Sequence, residues 1–340
     1  MNRPALLILV FAALLASSCV DKEEDMPVPE IIDSGTCGTN LTWVLTEDST
    51  LTISGKGAMT DYDIFFYSPD IPWYNYLSQI ATVNIQKGVT TIGNGAFYQC
   101  PRLSTVTISG SVKTIGRYVF ANCSRLSSVS IGNGVTTIKG AAFENCSGLS
   151  SVIIGNSVKT IEFCAFQGCT GLPSITIPNS VATIGDNAFR GCTDLSSVTI
   201  GNNVTTIGSH AFAYCTSLSS ITISNSVMDI GFSAFAHCSG LSSVTIGNNV
   251  TTIAANTFSH CSNLSSVTIG SRVTAIRFDA FRYCEKLQTI RSLNPVPPAI
   301  DSSAFSFVNT QDVTLYVPAA SLIVYKTTEV WNYFGKIVPL

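Results

Sequence analysis

Cys100, Cys123, Cys146, Cys169, Cys192, Cys215, Cys238, Cys261 and Cys284 each stand 23 residues after the one before. A spacing held through nine copies makes the chain an array of one structural unit, so its fold must be one in which identical units stack. Counted from each Cys as zero, the register is Leu at +3, Val or Ile at +6, Ile at +8, Val at +12, Ile at +15, and mostly Ala at +19 and Phe at +20. Cys123, Leu126, Val129, Ile131, Val135, Ile138, Ala142 and Phe143 form one complete set, and Leu77 takes the Cys place one unit earlier.

Within a unit, the +6/+8 pair in "SSVTI" is β-branched and alternates with polar residues, the pattern of a half-buried strand. "VTTI" is a second short extended piece, and "AF" with two variable residues leaves room for a single helical turn. At roughly 2 kcal/mol each, the apolar side chains of one unit contribute on the order of 15 kcal/mol. Ordering 23 residues at roughly 1.5 kcal/mol apiece costs more than that, so one unit cannot fold alone. Stacked units share a core and a parallel ladder and need caps at both ends. Charged residues are 11% of the chain, well below the common share of about a quarter, and Ser, Thr, Gly, Asn, Val and Ile dominate. The expected fold is a β-rich α/β solenoid of about ten 23-residue coils with parallel β-sheet, on the order of 45 Å long at roughly 4.8 Å per strand.

The N-terminus reads differently. "MNRPALLILVFAALLASSCV" has Arg3 in a short leading region, an apolar run from Ala5 to Ala16 too short for a permanent span, and small residues before Cys19, which is the arrangement of a cleaved signal peptide. An ordinary secretory signal with an incidental Cys is the competing reading. The stretch after it, with Asp21, Glu23, Glu24, Asp25 and Glu30, is acidic and poor in large apolar groups, as expected of a tether. The expected organisation is a signal over 1–18, a tether over 19–36, an N-terminal β cap over 37–76, the solenoid over 77–305 and a C-terminal cap over 306–340.

Columns that stay the same across coils point to structure. The Cys column would place Cα atoms within disulfide range, but parallel Cβ vectors give poor S–S torsions and a linear ladder offers no tetrahedral zinc closure. Small buried thiols in the core are the expectation, and no metal or other cofactor is implied. Asn133, Asn156, Asn179, Asn202, Asn225 and Asn248, at +10, suggest a ladder of side-chain amides bonding turn backbone, at positions where Asn would tolerate a left-handed conformation. Positions +4, +5 and +7 stay Ser or Thr through most coils; that flat hydroxyl face is either a docking surface or a soluble β-face.

Columns that vary flank the Ala-Phe turn. At +22, Tyr214, His237, His260 and Tyr283 follow one another in the C-terminal half; Phe163, Phe232 and Phe278 stand at +17, and Arg190 and Arg282 at +21. Aromatic, imidazole and guanidinium groups on rigid coils suit a recognition surface, the alternative being solvated turn residues under little constraint. His237 and His260 have no carboxylate in register with them, which argues against a metal pair. Three His, no nucleophile elbow and no phosphate loop argue against an enzyme. The 13 Lys/Arg against 8 Asp/Glu over residues 77–305 are scattered, which argues against nucleic acid as a partner.

The run "CxxLxxVxI", an apolar descent and "AFxxC" resembles the BspA-like leucine-rich-repeat family of surface lipoproteins in Bacteroidetes, over about residues 77–305. The resemblance implies a leucine-rich-repeat right-handed superhelix. It also implies that "CGTNLTWVLTEDSTLTISGKGAM" with "PWYNY" is the N-terminal cap and that Trp331, Tyr333 and Phe334 cover the last coil. "ALLASSC" resembles a lipobox, which makes Cys19 the lipidated residue, and the acidic "DKEED" after it resembles a surface-export signal. These likenesses imply an outer-membrane protein held by its lipid anchor, facing the cell exterior. Its expected role is non-catalytic adhesion to host extracellular-matrix protein, glycan or a partner cell-surface protein, the alternative being an envelope scaffold that binds a neighbouring outer-membrane component.

Overall fold

The computed structural model describes residues 29–64 and 70–340. Three ladders tie each coil to the next. On the first side the Val/Ile strands run parallel in strict 23-residue register, Ser128, Val129 and Ile131 pairing with Ser151, Val152 and Ile154. On the second side short Thr-Ile pairs do the same, Thr137 and Ile138 against Thr160 and Ile161. The third side is not β-structure. The amides of Tyr118, Phe120 and Asn122 donate to the carbonyls of Gly140, Ala142 and Glu144 in the following coil at 2.7–3.1 Å. The stack comprises about 11 turns.

The third ladder needs an unusual backbone. The +18 and +22 residues of successive coils have positive φ, as in Tyr118 (55°) and Asn122 (62°), or Cys164 (54°) and Gly168 (70°). Two left-handed residues bracket the Ala-Phe pair, which throws the Phe ring inward while the backbone stays free to bond the next coil. The rings stack in one buried column from Phe97 through Phe120, Phe143, Phe166, Phe189, Phe212, Phe235 and Phe258 to Phe281, with centroids 5.1–5.5 Å apart. The Phe120 carbonyl accepts both the Cys123 amide at 3.2 Å and the Cys146 thiol at 3.1 Å. The same thiol bond recurs up the ladder, which gives the Cys column its reason: a small buried side chain that also satisfies a buried carbonyl. All nine ladder cysteines are buried and free.

The +10 asparagines bond turn backbone between coils as expected, but without the left-handed conformation. None of them has positive φ; Asn133, Asn179 and Asn225 keep right-handed or extended backbone and accept, through Oδ1, the amides of Asn156, Asn202 and Asn248 in the next coil at 2.7–2.8 Å. The left-handed positions lie at +18 and +22 because that is where the chain must reverse around the Phe ring.

Both caps reach further than composition suggested. Strands β1 (Ile31–Gly38), β2 (Leu41–Thr46) and β3 (Thr50–Gly55) form an antiparallel meander, and a two-residue strand β4 (Gly57–Ala58) follows. Residues 31–36, expected in the tether, therefore pair with β2, because backbone hydrogen bonds order a segment too polar to order itself. β3 and β4 run parallel to Thr82–Ile85 and Val89–Ile92, so the first coil precedes the repeat consensus. Trp73 stacks on Phe97 at 5.4 Å and donates Nε1 to the Ala96 carbonyl, closing the Phe column. At the other end, Thr314–Val317 and Lys336–Pro339 add two more parallel strands past residue 305. Ser292, at +8 in place of Ile, is buried against the Tyr325 hydroxyl of helix α1 (Leu322–Thr327) at 2.7 Å. Trp331 and Phe334 are buried over the last coil, whereas Tyr333, expected with them, is 50% exposed. The strand sheet is interrupted between Ser197–Thr199 and Ser220–Ile223 and, two coils earlier, between Ser151–Ile154 and Ser174–Thr176. Ser150 and Ser196 donate their amides one coil back at this level, and Pro173 has no N–H to do so.

Phe212→Ala removes a ring stacked on both faces and should lower stability by about 3–5 kcal/mol, read as a denaturant midpoint shift at constant slope. Burial also pushes the Cys192, Cys238 and Cys284 thiols up to about 12. Thiols raised in the folded state and ordinary in the unfolded chain contribute stability that is complete below about pH 8.5 and lost as pH rises towards 12. Stability should thus fall steeply over that alkaline window, and Cys238→Ala should flatten the fall.

Candidate functional site

The +22 column has left-handed backbone, which costs a ring-bearing residue more than it costs Gly or Asn. In the N-terminal coils it holds Gln99, Asn122, Asn145, Gly168 and Gly191, residues that accept positive φ readily in all but the first case. From Tyr214 onward it holds Tyr214 (63°), His237 (61°), His260 (60°) and Tyr283 (58°), each carrying a left-handed cost of roughly 1–2 kcal/mol.

Because each coil is translated onto the next, the column becomes a stack. Tyr214, His237, His260 and Tyr283 lie face to face with centroids 4.5, 4.4 and 4.5 Å apart. Phe307 (φ 63°) continues it at 4.3 Å from Tyr283, a fifth ring that sequence reasoning missed. It stands 23 residues after Cys284, and the one-residue lengthening of that coil hides its place; aligning on the ring column would have found it. Tyr214 is 40% exposed and Phe307 61%. The stack is an external ridge, parallel to the buried Phe column and separate from it.

Arg190 lies over Tyr214 at 5.4 Å, and Arg282 over Tyr283 at 5.0 Å and Phe307 at 5.1 Å, so both +21 arginines join the ridge through cation–π contact. Arg282 also bonds Asp279 at 3.0 Å. A groove runs along each flank. One, of about 480 Å³, is lined by Arg190, His210, His237, His260 and Arg282 among others; the second, of about 430 Å³, is bordered by Thr216, Ser239, Ser262 and Glu285. His210, at the left-handed +18 position, was not singled out from the sequence, although it completes the chain's three histidines. Burial, then the neighbouring His260, holds the His237 imidazole below its ordinary range; burial and Arg190 do the same to His210.

The +17 phenylalanines do not form one feature. Phe232 meets the His210 ring edge-on at 5.2 Å, beside the ridge. Phe278 is exposed. Phe163 lies in the N-terminal half, its ring where a Gly140 side chain would be and Arg117 5.6 Å above it, in a cleft with Asp61 and Tyr62. Cys19 lies outside the described residues, as do the signal segment and nearly all of the acidic stretch. Cys164 is half-buried with its thiol raised by burial. Among the described residues, no group of three or more His, Cys, Asp and Glu is placed to hold a metal ion.

The Ser/Thr strand face is less available than its composition suggests. At +4 the hydroxyls of Ser150, Ser196, Ser242 and Ser265 donate to the backbone carbonyl one coil earlier at 2.9–3.1 Å. Those donors are internal to the solenoid, which favours the reading of a soluble β-face.

A stack of parallel coils with Leu, Val and Ile at fixed depths and a capped core is a leucine-rich-repeat solenoid. The chain matches the BspA type leucine rich repeat region in six copies, over residues 73–172 and 159–288, and belongs to that family. Among solved structures it is similar to a leucine-rich repeat protein from Bacteroides ovatus, at 23% identity over 88% of this chain and 98% of that one, TM-score 0.47. A leucine rich cell surface protein from Faecalibacterium prausnitzii is similar at 26% identity over 92% and 95%, TM-score 0.40. A leucine-rich repeat protein from Eubacterium ventriosum is similar at 23% over 90% and 93%, TM-score 0.42. No curated protein matches the chain. The repeat architecture is that of a protein-binding module.

His237→Asn should leave stability within about 1 kcal/mol, since Asn relieves the left-handed cost while a ring contact is lost. His237→Val, with a β-branched group at the same φ, should cost more than about 1–2 kcal/mol. Equal melting of the two variants would show that the ridge backbone is not strained.

Proposed function

We propose that the protein is a non-catalytic binding module of the cell surface and that the ridge from Tyr214 to Phe307, with Arg190 and Arg282, is where it takes its partner. The observation that carries this reading is the change in one column from Asn and Gly to aromatic and imidazole side chains at unaltered left-handed φ. Gly and Asn hold that backbone at least cost, and a run of rings in their place builds a surface that the coil itself does not need. Rigid aromatic anchors flanked by Arg are what hot spots of protein interfaces use, and a solenoid holds them without further loss of entropy on binding. The segment before the fold supplies the setting: a signal, a lipidated Cys19 and an acidic tether would hold the solenoid on the outer membrane, facing outward, within reach of host matrix protein, glycan or a neighbouring cell.

The test is binding of soluble residues 29–340 to immobilised matrix proteins, mucin and a glycan array, beside a Tyr214→Asn/His237→Asn/His260→Asn/Tyr283→Asn variant that melts normally. Saturable binding lost in the variant is expected. Binding retained by the variant would move the site to the Ser/Thr strand face. No binding to any surface, with co-purification of a neighbouring outer-membrane protein, would make the chain an envelope scaffold instead.

A further inference from the structure

All three histidines of the chain line one groove together with Arg190 and Arg282, and none of the residues lining it is Asp or Glu. The whole chain carries a formal net charge of −3, so this concentration of nitrogen donors is a local feature. Carboxylates approach from outside the groove. Asp186 acts on His210, Asp279 takes Nη1 of Arg282 at 3.0 Å, and Glu285 borders the opposite flank of the ridge. The Arg282 Nε is buried and has no hydrogen-bond partner.

The rings limit what can dock. His237, His260 and Tyr283 each have both faces against a neighbouring ring, so those positions offer no open face for a sugar to stack on. They present ring edges, imidazole nitrogens and a phenol hydroxyl, and ring edges carry the positive side of the aromatic quadrupole. Edge, imidazole and guanidinium together favour an acceptor-rich, negatively charged group. Arg190 and Arg282 stand four coils of 23 residues apart, roughly 19 Å at about 4.8 Å per coil. An extended peptide rises roughly 3.3 Å per residue and presents alternate side chains to one face, so acidic residues about six apart meet both arginines.

We infer that the groove lined by Arg190, His210, His237, His260 and Arg282 binds an acidic, extended polypeptide segment of the partner. This rests on the reading of the ridge as the recognition surface and names the chemistry that the surface selects. The ligand's carboxylates pair with the two arginines at the groove ends and draw protons onto the His210 and His237 imidazoles between them, which burial holds neutral in the free protein, so binding strengthens as pH falls through the histidine range.

The experiment titrates the full-length chain in mild detergent with a labelled peptide of about ten residues carrying Glu at alternate positions, beside Gln and Lys versions, and reads fluorescence anisotropy. The Glu peptide should bind at least about tenfold more tightly than the Gln version, and more tightly at about pH 5.5 than at about pH 7.5. Arg190→Gln/Arg282→Gln should remove the preference for Glu. His210→Asn/His237→Asn, checked to melt as the parent does, should remove most of the pH dependence. Equal binding of Glu and Gln peptides, or binding of neither, would overturn the inference. If ridge variants still lost their surface ligand in that case, the ridge would stand as the recognition surface and the acidic-ligand assignment alone would fall.

Discussion

A 23-residue coil has no inside of its own. Its Phe, Leu, Val and Ile become core only when the next coil lies over them, so the contact between coils is the interaction on which everything else here depends. The buried Phe column expresses it most directly: each ring has another about 5.1–5.5 Å above and below, and Trp73 and Phe334 end the series with larger or edge-on rings. The Cys thiols add a bond of the same kind, from one coil into the carbonyl of the one before. Neither contact exists within a single coil. The caps follow from the same need, since an uncovered terminal Phe would face water.

Pure translation from coil to coil has a second result. Any side chain repeated in a column is placed against its own copy, whether the column points inward or outward. Inside, that produces the Phe stack. Outside, at +22, it produces the Tyr214 to Phe307 ridge with ring spacings of 4.3–4.5 Å, closer than those of the Phe column. At +4 and +10 the same geometry turns Ser and Asn into internal ladders whose hydrogen-bonding groups are spent on the neighbouring coil. A repeat protein of this type therefore sorts its surface columns into those that knit coils together and those that are free.

The solenoid was readable from the sequence because its determinants are periodic: Leu126, Val129, Ile138 and Phe143 recur at a period that survives substitution at other positions. The left-handed sites were harder to place. Asn at +10 suggested them there, yet Asn is equally suited to bridging coils, and the positive φ lies at +22, where Asn122, Asn145, Gly168 and Gly191 do hint at it, and at +18, where Tyr118, Cys164 or His210 give no hint. The caps were under-drawn for a related reason. Thr50–Gly55 and Thr314–Val317 join the ladder through backbone hydrogen bonds, which need no particular side chains and so leave no consensus to read. The ridge was visible as a column of four rings, but that its faces are closed by stacking, and that His210 shares its groove, depends on where a strained turn aims side chains.

This division also explains how such a protein can acquire a partner. Stability resides in the core columns and the three backbone ladders, so the residues at +17, +21 and +22 can change without unfolding the coil. The backbone cost at +22 stays at the φ of the substituted residue, while its ring couples to the next coil only through the stacking contact. Arg190 at one end and Arg282 at the other each rest on a ring already in the column, so one extended column organises the charged groups as well. A recognition surface assembled in this way grows by whole coils. Its length is set by how many consecutive units carry a ring at +22, and its chemistry by the residues one position before. In this chain the run occupies the C-terminal half, and the coils before it keep the Asn and Gly that the backbone alone would choose.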